Sequence, residues 1–510
     1  MAEGERIVEV VEPMRSNALP AVSEPIEPVI EPKVCPFSVR AHWLTKDDCR
    51  LDASFYADEV VAARRVIEDS GFEIKMLGDI SVTKEIFNLS RFKRIYTNDP
   101  TKGYPYLSAS EVLMFRPQSD RWIACDKAPK QAGRYFAKEG WLLVTCSGAV
   151  GRCVLVTKRL ERFFLTHDLL RIIPSLPAGY LYAYLSSWIG QALMVKEQYG
   201  MTVTHLEPQH LARLPVPLLP DDEQQAIHEQ IMQAYRLRDE ANDLLDKADE
   251  LLHAELSLPR FDESQVPYLF GSSKPKAFTV RATELEGRLD ASFHIPIARA
   301  VIEQLRKGKY PLVRLGDVAI RIFIPPRFKR IYVSPEYGVP FLQGSHVPMI
   351  KPYDLKYLSR RANERHIEEC LIREGWVLVT RSGTVGRLTL VPKALDGWAA
   401  SEHCLRIVPN PERVHAGYLA AFLMTPYGQH QLTSKIYGGV VDELTEEDTA
   451  AIWLPDAPLE VQRRIGTLVV QAFERKEEAN AIEDRAIARL ENILARGKGS
   501  IMPSRKGDAV

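Results

Sequence analysis

A short basic stretch, Arg-Phe-Lys-Arg-Ile-Tyr, occurs twice in the chain, at residues 91–96 and 327–332. Three cations in four residues beside aromatic side chains suit contacts with the phosphates of a nucleic acid, which position a protein without reading the base sequence. Because the two copies are identical, they favour positioning over base reading. A solvated basic strand edge is the alternative interpretation. The candidate contacts to a DNA backbone are Arg91, Lys93, Arg94, Arg327, Lys329 and Arg330.

The stretches that follow differ most between the two copies, at residues 119–138 and 354–373. Arginine suits guanine, and asparagine or glutamine suits adenine, through paired hydrogen bonds in the major groove. Side chains that read different half-sites should differ between copies, so these stretches supply the candidate base readers. For any single residue, a variable surface loop or an amphipathic helix is the alternative explanation. The candidates are Arg121, Lys130, Gln131 and Arg134 in the first copy, and Lys356, Arg360, Arg361, Asn363 and Arg365 in the second.

A Gly-Ser turn is the third repeated feature, since EGWLLVTCSGAVGR at 139–152 recurs as EGWVLVTRSGTVGR at 374–387. The glycines of this motif predict a tight turn between two apolar strands. Position 146 is cysteine where position 381 is arginine, so Arg381 is a further candidate base reader. The turn could also bring its serines and arginines to a DNA backbone. These candidates are Ser147, Arg152, Ser382 and Arg387.

Several sequence motifs that mark enzyme sites are missing from the chain. It has no G-x-x-x-x-G-K-[ST] phosphate loop, no G-x-G-x-x-G turn, no H-E-x-x-H helix, and no Asn-Pro-Pro-Tyr or Asp-Pro-Pro-Tyr stretch of an amino-methyltransferase. Its seven cysteines form no C-x-x-C pair, which argues against a zinc site and for a reducing cytoplasm. Asp52 and Asp290 occupy matched positions, and each is interpreted as part of a local turn or ion pair beside Arg50 or Arg288.

The repeated stretches keep their order along the chain, which indicates a duplicated domain. RLDASF at 50–55 recurs at 288–293, and AGYLYAYL at 178–185 resembles AGYLAAFL at 416–423. A repeat of this length is a whole domain rather than a solenoid unit. Short apolar runs with glycine and proline punctuation predict strands, and the AGYL stretches predict helices. Each copy is therefore predicted to be a mixed α+β domain.

Each copy ends in a long predicted helix with apolar residues at helical spacing. About 35 residues form a rod of roughly 50 Å, and the expected partner of its apolar stripe is the matching helix, in a coiled-coil pair. Arg238 and Lys476 fall at matched positions within the stripe. Buried cations there could fix the register; alternatively, both stems extend to solvent. The stripe comprises Ile227, Ile231, Ala234, Ala241, Leu244, Ala248 and Leu252, then Ile465, Val469, Ala472, Ala479, Ile482, Ala486 and Leu490.

At 510 residues the chain has room for two or three domains. With 45% hydrophobic and 26% charged residues it can bury sizeable cores, and a net charge of −1 allows a polyanionic partner without demanding one. No apolar run of about 18 residues is present, so no membrane span is predicted. The acidic start lacks an apolar signal region, and a cytoplasmic protein is therefore expected.

The order of these features resembles the specificity (S) subunit of type I restriction–modification systems. Four features carry the resemblance: the RLDASF start, the Gly-Ser turn, a glycine followed by a proline-ended strand, and the long helix. The third is YGMTVTHLEPQHLARLPVPLLP at 199–220 and YGGVVDELTEEDTAAIWLPDAP at 437–458. The helix start EQQAI fits the family pattern, whereas VQRRI departs from it at Val461. The resemblance covers residues 37–496.

The resemblance implies a non-catalytic subunit that reads a split DNA site. In that family each globular part is a target recognition domain for one half-site, and two long antiparallel helices set the gap. The subunit carries two methyltransferase subunits, which bind S-adenosylmethionine, and restriction subunits can join them. The implied fold is α+β with pseudo-two-fold symmetry, with no cofactor on this chain and with double-stranded DNA as a partner. The implied division is target recognition domains at 37–218 and 277–456 and spacer helices at 219–258 and 457–496, with a linker at 259–276 and a tail at 497–510. Residues 1–36 are not part of the family pattern, and their Pro/Glu-rich composition predicts a disordered tail.

Three other interpretations stay open on the sequence. The chain could be a similar specificity subunit of another methylation-based phage-defence system. It could be a self-sufficient DNA methyltransferase or nuclease, although the missing motifs count against this. It could also be a scaffold that binds only protein.

Overall fold

The computed structural model describes residues 58–196, 205–263, 266, 278–285, 287–291, 293–435 and 443–496. The predictions for the two terminal tails, for Asp52 with the first RLDASF stretch, and for most of the linker lie outside the described residues. The helices are α1 (Asp58–Asp69), α2 (Lys158–Glu161), α3 (Ala178–Ser186), α4 (Trp188–Lys196), α5 (Pro208–Ala212), α6 (Asp221–Glu255), α7 (Pro296–Leu305), α8 (Leu315–Val318), α9 (Glu364–Cys370), α10 (Ala416–Met424), α11 (Pro426–Ser434), α12 (Glu446–Ala450) and α13 (Leu459–Ala495).

The strands divide evenly between the two halves of the chain. In the first half they are β1 (Glu73–Met76), β2 (Thr83–Phe87), β3 (Tyr96–Thr97), β4 (Gly103–Leu107), β5 (Trp122–Ala124), β6 (Leu142–Thr145), β7 (Cys153–Leu155), β8 (Phe164–Leu165), β9 (Leu169–Pro174) and β10 (Pro215–Leu218). In the second half they are β11 (Leu312–Arg314), β12 (Ala319–Phe323), β13 (Tyr332–Val333), β14 (Gly338–Leu342), β15 (Lys356–Ser359), β16 (Val377–Thr380), β17 (Leu388–Leu390), β18 (Ala399–Ala400), β19 (Cys404–Pro409) and β20 (Trp453–Pro455).

The central sheet of the first half separates two apolar cores. Its order is β2-β9-β6-β7, with every neighbouring pair antiparallel. Successive side chains of a strand point to opposite faces, so Leu142 and Val144 of β6 join the main core, whereas Leu143 joins a smaller one. A second sheet, β3-β5-β4-β8, and the pair β1–β10 complete this half.

The second half has sheets with the same strand orders. They are β12-β19-β16-β17, β13-β15-β14-β18 and the pair β11–β20. The alternation also recurs, since Val377 and Val379 of β16 join the main core of this half while Leu378 joins a smaller one. The prediction of a mixed helix and sheet fold is confirmed. None of the helices within the described ranges is both long and apolar enough to cross a membrane.

The long helices α6 and α13 pack side by side in opposite directions. Near the start of α6, Glu223 pairs with Arg489 near the end of α13 at 2.8 Å. At the other end of the pair, Glu255 meets Arg464 at 3.0 Å. The core of the first half includes the beginning of α6 and the end of α13, and the core of the second half includes the opposite ends. The two halves therefore pack at opposite ends of the helix pair.

The apolar stripe is buried as predicted, with one exception. Leu244 is only half-buried, and the neighbouring Leu245, at 2% exposure, takes the place in the interior. Near the middle of the pair, Ile482 packs with Ala234 and Leu237. Both leucines fit helical spacing after Ala241, three and four residues on, and Leu245 is the one that faces the interior.

Both matched cations lie inside the helix pair. Arg238 is 5% exposed, and its Nη2 donates to Glu483 Oε2 at 2.5 Å and to Asn480 Oδ1 at 2.9 Å. Lys476 is 4% exposed, and its Nζ lies 5.2 Å from the ring centre of Phe115. The interpretation that both stems extend to solvent is therefore wrong.

Candidate nucleic-acid interface

Each basic stretch forms an exposed loop, which we call basic loop 1 (residues 91–96) and basic loop 2 (residues 327–332). The second residue of each loop anchors it to the body of the protein. The ring of Phe92 meets Tyr135 edge-on at 5.1 Å, and the ring of Phe328 stacks on His366 at 4.8 Å. Because an aromatic residue is inserted, each loop has a fixed attachment while its cations stay at the surface.

Basic loop 1 lies against the divergent stretch of its own half, which we call variable segment 1 (residues 119–138). The Tyr135 hydroxyl donates to Ser90 O at 2.8 Å. In β3, Tyr96 pairs with Ile123 of β5. The candidate backbone contacts and the candidate base readers of the first half are thus neighbours in space, although they are distant in sequence.

Basic loop 2 has the same relation to variable segment 2 (residues 354–373). The backbone N–H of Ser359 donates to Ile331 O at 2.9 Å, and Asn363 Nδ2 donates to the same oxygen at 2.9 Å. Each half therefore combines an identical basic loop with a stretch that differs between the halves. Such a surface has the two components of sequence-specific DNA binding: contacts that position and contacts that specify.

The cations of basic loop 1 are mostly available to a ligand. Arg91 and Lys93 are exposed and make no ion pair with any described residue. Arg94 lies 3.5 Å from Asp168, with its guanidinium 5.6 Å from the ring centre of Tyr106. A partly exposed pair at this distance contributes little to stability, so Arg94 can exchange its carboxylate for a phosphate at low cost.

Basic loop 2 is more strongly neutralised by its own half. Arg327 pairs with Glu443 at 3.0 Å, and Arg330 pairs with Glu402, whereas Lys329 is exposed without an ion pair within the described residues. Burial raises the pKa of Glu402, but a backbone hydrogen bond and the Arg330 guanidinium outweigh it and hold that pKa below its usual value. Arg330 is therefore tied to the protein, and Lys329 and Arg327 are the better candidates for phosphate contact in this loop.

Two arginines of variable segment 1 are engaged within the protein. Arg121 Nη2 donates to Glu111 at 2.6 Å. Arg134 pairs with Glu85 at 2.9 Å and lies 4.5 Å from the ring centre of Phe87. Arg121 is held by a largely buried carboxylate, whereas Arg134 and Glu85 are each 48% exposed and form a surface pair that contributes little to stability.

The remaining polar candidates of the variable segments are exposed. Lys356 lies at the surface with its ammonium 5.1 Å from the ring centre of Tyr332 in basic loop 2. The others form no ion pair with the described part of the chain. They are Lys130, Gln131, Arg360, Arg361 and Arg365.

The structure removes two residues from the candidate base readers. Asn363 is 2% exposed, and its side-chain nitrogen donates to Ile331 O and Ser359 O, so it ties basic loop 2 to variable segment 2. Arg381 is 7% exposed, and its guanidinium donates to Leu444 O at 3.0 Å and to Glu443 at 2.8 Å. Neither side chain can reach a base while these bonds persist. In both cases a polar side chain satisfies buried backbone or carboxylate groups, a need that the sequence alone does not display.

The repeated Gly-Ser motif forms the predicted tight turn, between β6 and β7 and between β16 and β17. The glycines adopt a left-handed backbone conformation, with φ of 73° at Gly148 and 74° at Gly383. Ser147 Oγ lies 3.2 Å from His205 Nδ1, and Ser382 Oγ lies 2.5 Å from His403 Nδ1. Both serines are half-buried and bound to a histidine, which leaves them poor candidates for a direct DNA contact.

The arginines of this motif lie at the junction between the halves. Arg152 pairs with Asp354 of the other half at 2.6 Å and lies 4.4 Å from the ring centre of Tyr353. Arg387 lines a cavity beside the helix pair with Lys476. Both arginines belong to the junction between the halves, and Arg152 is already paired with a carboxylate.

Several contributors to this surface were not predicted. Ile95 and Tyr96 of basic loop 1, and Ile331 and Tyr332 of basic loop 2, are exposed large side chains. They complete the repeated Arg-Phe-Lys-Arg-Ile-Tyr stretch, so its conservation between the copies was the available signal. Exposed apolar groups beside cations provide a surface for sugars or base edges as well as for phosphates.

Buried arginines hold the residues that face the basic loops. Arg171 donates to Thr166 O at 3.2 Å, and Arg406 donates to Ser401 O at 2.8 Å. Burial lowers the pKa of Arg171 to about 10. The segments held in this way carry Asp168 and Glu402, which pair with the basic loops.

No group of three or more potential metal ligands occurs in the part of the chain that the structure describes. Asp290 pairs with Arg288 at 2.7 Å, which confirms the predicted local ion pair.

Comparisons with known proteins give structural matches only. The S subunit of the type I restriction–modification system from M. genitalium has 13% identity, with 85% of this chain and 97% of that chain covered and a TM-score of 0.35. The HsdS subunit from Thermoanaerobacter tengcongensis has 15% identity, with 84% and 97% covered and a TM-score of 0.27. Both similarities extend over most of this chain.

A type IIG restriction endonuclease, BpuSI, is similar over a smaller part, with 10% identity, 44% of this chain and 36% of that chain covered, and a TM-score of 0.28. No protein-family model and no curated protein sequence matches the chain.

Proposed function

We propose that this chain is a non-catalytic DNA specificity subunit that reads a split site and directs partner methyltransferase and restriction subunits to it. The observation that carries the proposal is the pairing, in each half, of an identical basic loop with a divergent segment. The basic loops supply contacts that any DNA sequence offers, and the divergent segments supply contacts that depend on sequence.

The proposed domain division follows the duplicated sequence. Residues 37–218 and 277–456 are two target recognition domains, and residues 219–258 and 457–496 are two spacer helices in an antiparallel coiled coil with pseudo-two-fold symmetry. The matching strand orders and the helix contacts in opposite directions support this arrangement. Duplex DNA has local two-fold axes, and half-sites one helical turn apart are separated by roughly 34 Å. A helix of 35 residues, about 52 Å long, is an adequate spacer.

The proposed catalytic partners are two methyltransferase subunits per chain, which would bring S-adenosylmethionine. Supporting this, the chain lacks a methyltransferase motif in its sequence, and the pseudo-symmetry offers two equivalent surfaces. A second copy of each partner follows from two-fold related sites.

Methylome sequencing tests the proposal. The full chain is co-expressed with a candidate partner methyltransferase in a host that lacks both. We expect methylation of a bipartite motif that neither protein produces alone. Methylation of a continuous motif, or of the same motif without this chain, would contradict the proposal.

Charge removal in one half tests the assignment of the surface. We expect the triple substitution Arg360→Ala, Arg361→Ala and Arg365→Ala to abolish or relax recognition of one half-site, because these exposed cations belong to variable segment 2. Substitution Lys393→Ala is the control, since this lysine is exposed in the same half but outside the basic loop and the variable segment. Equal effects of the triple variant and the control on the methylated motif would reject the surface.

A further inference from the structure

The two matched cations of the helix pair have different partners. The stretches RLRDEANDLL, beginning at residue 236, and ERKEEANAIE, beginning at residue 474, align without a gap. In this alignment Arg238 corresponds to Lys476, and Glu483 corresponds to Leu245. Arg238 has a buried carboxylate partner, because it bonds to Glu483 at 2.5 Å. At the corresponding place, Lys476 faces Leu245 in the wall of a cavity.

Lys476 has no hydrogen-bond acceptor among the described residues, and its ammonium lies 5.2 Å and 5.8 Å from the ring centres of Phe115 and Phe473. Within the described residues its ammonium forms no hydrogen bond or ion pair, although 96% of the residue is buried; its exposed fraction is 4%. The adjacent asparagines repeat the asymmetry. Asn480 Oδ1 accepts from Arg238 at 2.9 Å, whereas Asn242 Oδ1 is buried without a partner.

A second carboxylate is missing from the same side. The segments GYPYLSASEVLMFRPQS, beginning at residue 103, and GVPFLQGSHVPMIKPYD, beginning at residue 338, align so that Ser119 corresponds to Asp354. Asp354 neutralises Arg152 at 2.6 Å. The corresponding arginine is Arg387, which makes no ion pair in the described part of the chain and lines the same cavity as Lys476. Two cations on one side are thus neutralised internally, and their two counterparts are not.

The cavity has the size and charge of a small anion site. Its volume is about 140 Å³. The described residues that line it include Arg116, Arg387 and Lys476 but no carboxylate. Arg116 is already paired with Asp246 at 2.9 Å, so Lys476 and Arg387 are the cations left over. Water occupies roughly 30 Å³ per molecule, so a tetrahedral oxyanion fits with a few waters, whereas pockets for drug-sized ligands run to about 300–1,000 Å³.

We infer that this cavity, between the helix pair and the turn at Gly386–Arg387, binds one small oxyanion of the phosphate or sulfate class through Lys476 and Arg387. The bound anion takes the place of the two carboxylates that Glu483 and Asp354 provide on the other side. The inference does not rest on the proposed DNA-binding function, since it concerns the junction of the halves.

The physical reason is the cost of burying a charge without a partner. An ammonium removed from water is strongly disfavoured unless an opposite charge or several acceptors replace its hydration. Burial lowers the pKa of Lys476, Glu477 opposes this shift, and Arg238 adds to it. Glu477 acts on the ammonium through space, and the two form no ion pair in the described part of the chain. An oxyanion in the cavity keeps Lys476 protonated and supplies the missing acceptor.

Binding of inorganic phosphate to the full chain tests the inference. Isothermal titration and thermal unfolding are carried out at constant ionic strength, with chloride replacing phosphate or sulfate. We expect one saturable site per chain and a rise in Tm with phosphate. Lys476→Met and Leu245→Glu should each weaken phosphate binding at least ten-fold. Leu245→Glu supplies the carboxylate internally, so its Tm without phosphate should exceed that of the unaltered chain.

The control is Arg485→Met, which removes an exposed cation from the same helix outside the cavity and should leave phosphate binding unchanged. If the Lys476→Met variant does not fold, the phosphate affinity of the Leu245→Glu variant alone tests the inference. A non-saturable effect in the unaltered chain, or phosphate binding by Leu245→Glu as tight as in that chain, would overturn the inference. Competition with duplex DNA identifies the source of the bound anion. If DNA displaces inorganic phosphate, the site takes a phosphate of the DNA backbone. If DNA does not displace it, the site takes a free anion.

Discussion

The buried ion pair between Arg238 and Glu483 gives the sharpest test of how the helix pair is held together. The two side chains are 5% and 6% exposed, and they join α6 to α13 near the middle of both helices. We consider the single substitutions Arg238→Leu and Glu483→Leu and the double substitution. Breaking a buried pair from one side costs about 3–5 kcal/mol, because an uncompensated charge remains, whereas replacing both partners with apolar residues is often close to neutral.

The neighbours of the pair decide where each single variant falls in that range. After Arg238→Leu, Glu483 keeps Lys351, whose Nζ lies 3.8 Å from its Oε1. After Glu483→Leu, Arg238 keeps neutral partners, Asn480 at 2.9 Å and the ring of Tyr235, whose centre lies 4.8 Å from the guanidinium, but no carboxylate among the described residues. We therefore expect losses of about 3 kcal/mol for Arg238→Leu and about 5 kcal/mol for Glu483→Leu, and about 1–2 kcal/mol for the double variant.

Urea unfolding of the full chain measures these free energies. The control is the exposed pair Arg475–Glu478, with both side chains 48% exposed on the same helix. Its double-mutant cycle should give a coupling of about 0.5 kcal/mol or less. If the losses from Arg238→Leu and Glu483→Leu simply add in the double variant, the buried pair is not coupled and the reasoning is refuted.

The same pair predicts a pH dependence. Burial raises the pKa of Glu483, but Arg238 and Lys351 outweigh it, and the folded-state pKa lies below its ordinary value. A carboxyl group with a depressed folded-state pKa stabilises the protein above its unfolded-state pKa, and that contribution is lost as the pH falls through the folded-state pKa. The stability of the unaltered chain relative to the double variant should therefore be constant near neutral pH and shrink below a pH of about 4.3.

Two further predictions concern the turns and the duplication. Gly383→Ala should destabilise the second half by about 1–2 kcal/mol, because an alanine is strained at a φ of 74°. The control is Gly133→Ala, which should change the unfolding free energy little, because Gly133 has no positive φ and no atom lies near the added Cβ. Expressed alone, residues 277–496 should self-associate more tightly than residues 37–258 in sedimentation experiments. In a two-fold dimer of the second half each Lys476 meets a Glu483, whereas in a dimer of the first half each Arg238 meets a Leu245. Equal association of the two fragments would contradict this pairing.

The fold was predictable where residues repeat with a clear period. The strands of the Gly-Ser motif and the long helices follow from apolar spacing, and the burial of Ile227 or Leu490 follows with them. Leu244 was misplaced because spacing fixes a helix face only to within one neighbouring residue, and the contact with the second helix selects Leu245. A periodic pattern contains no information about the rotation of one helix against another.

The candidate interface was predictable only in outline. The repeated basic stretch identified both loops, and Arg91, Lys93 and Lys329 are exposed cations as expected. Arg152 and Arg381 could not be placed from sequence, because their partners, Asp354 and Glu443, are distant along the chain. A charged side chain is available to a ligand only when no carboxylate of the same chain reaches it, and that depends on the tertiary fold.

The charged residues at the junction differ between the two copies. Two identical halves would form a symmetric pair, and every charge at the junction would occur twice. Here Glu483 and Asp354 have no counterparts, because Leu245 and Ser119 occupy the matched positions. One side of the junction is therefore closed by ion pairs, and the other contains the cavity with Lys476 and Arg387. The ion pairs alone do not select the pairing of unlike halves, because a dimer of second halves would give each Lys476 a Glu483 partner. What favours the unlike pairing is the covalent linkage of the two halves, which makes their association intramolecular. On the proposed function, only unlike halves can read two different half-sites.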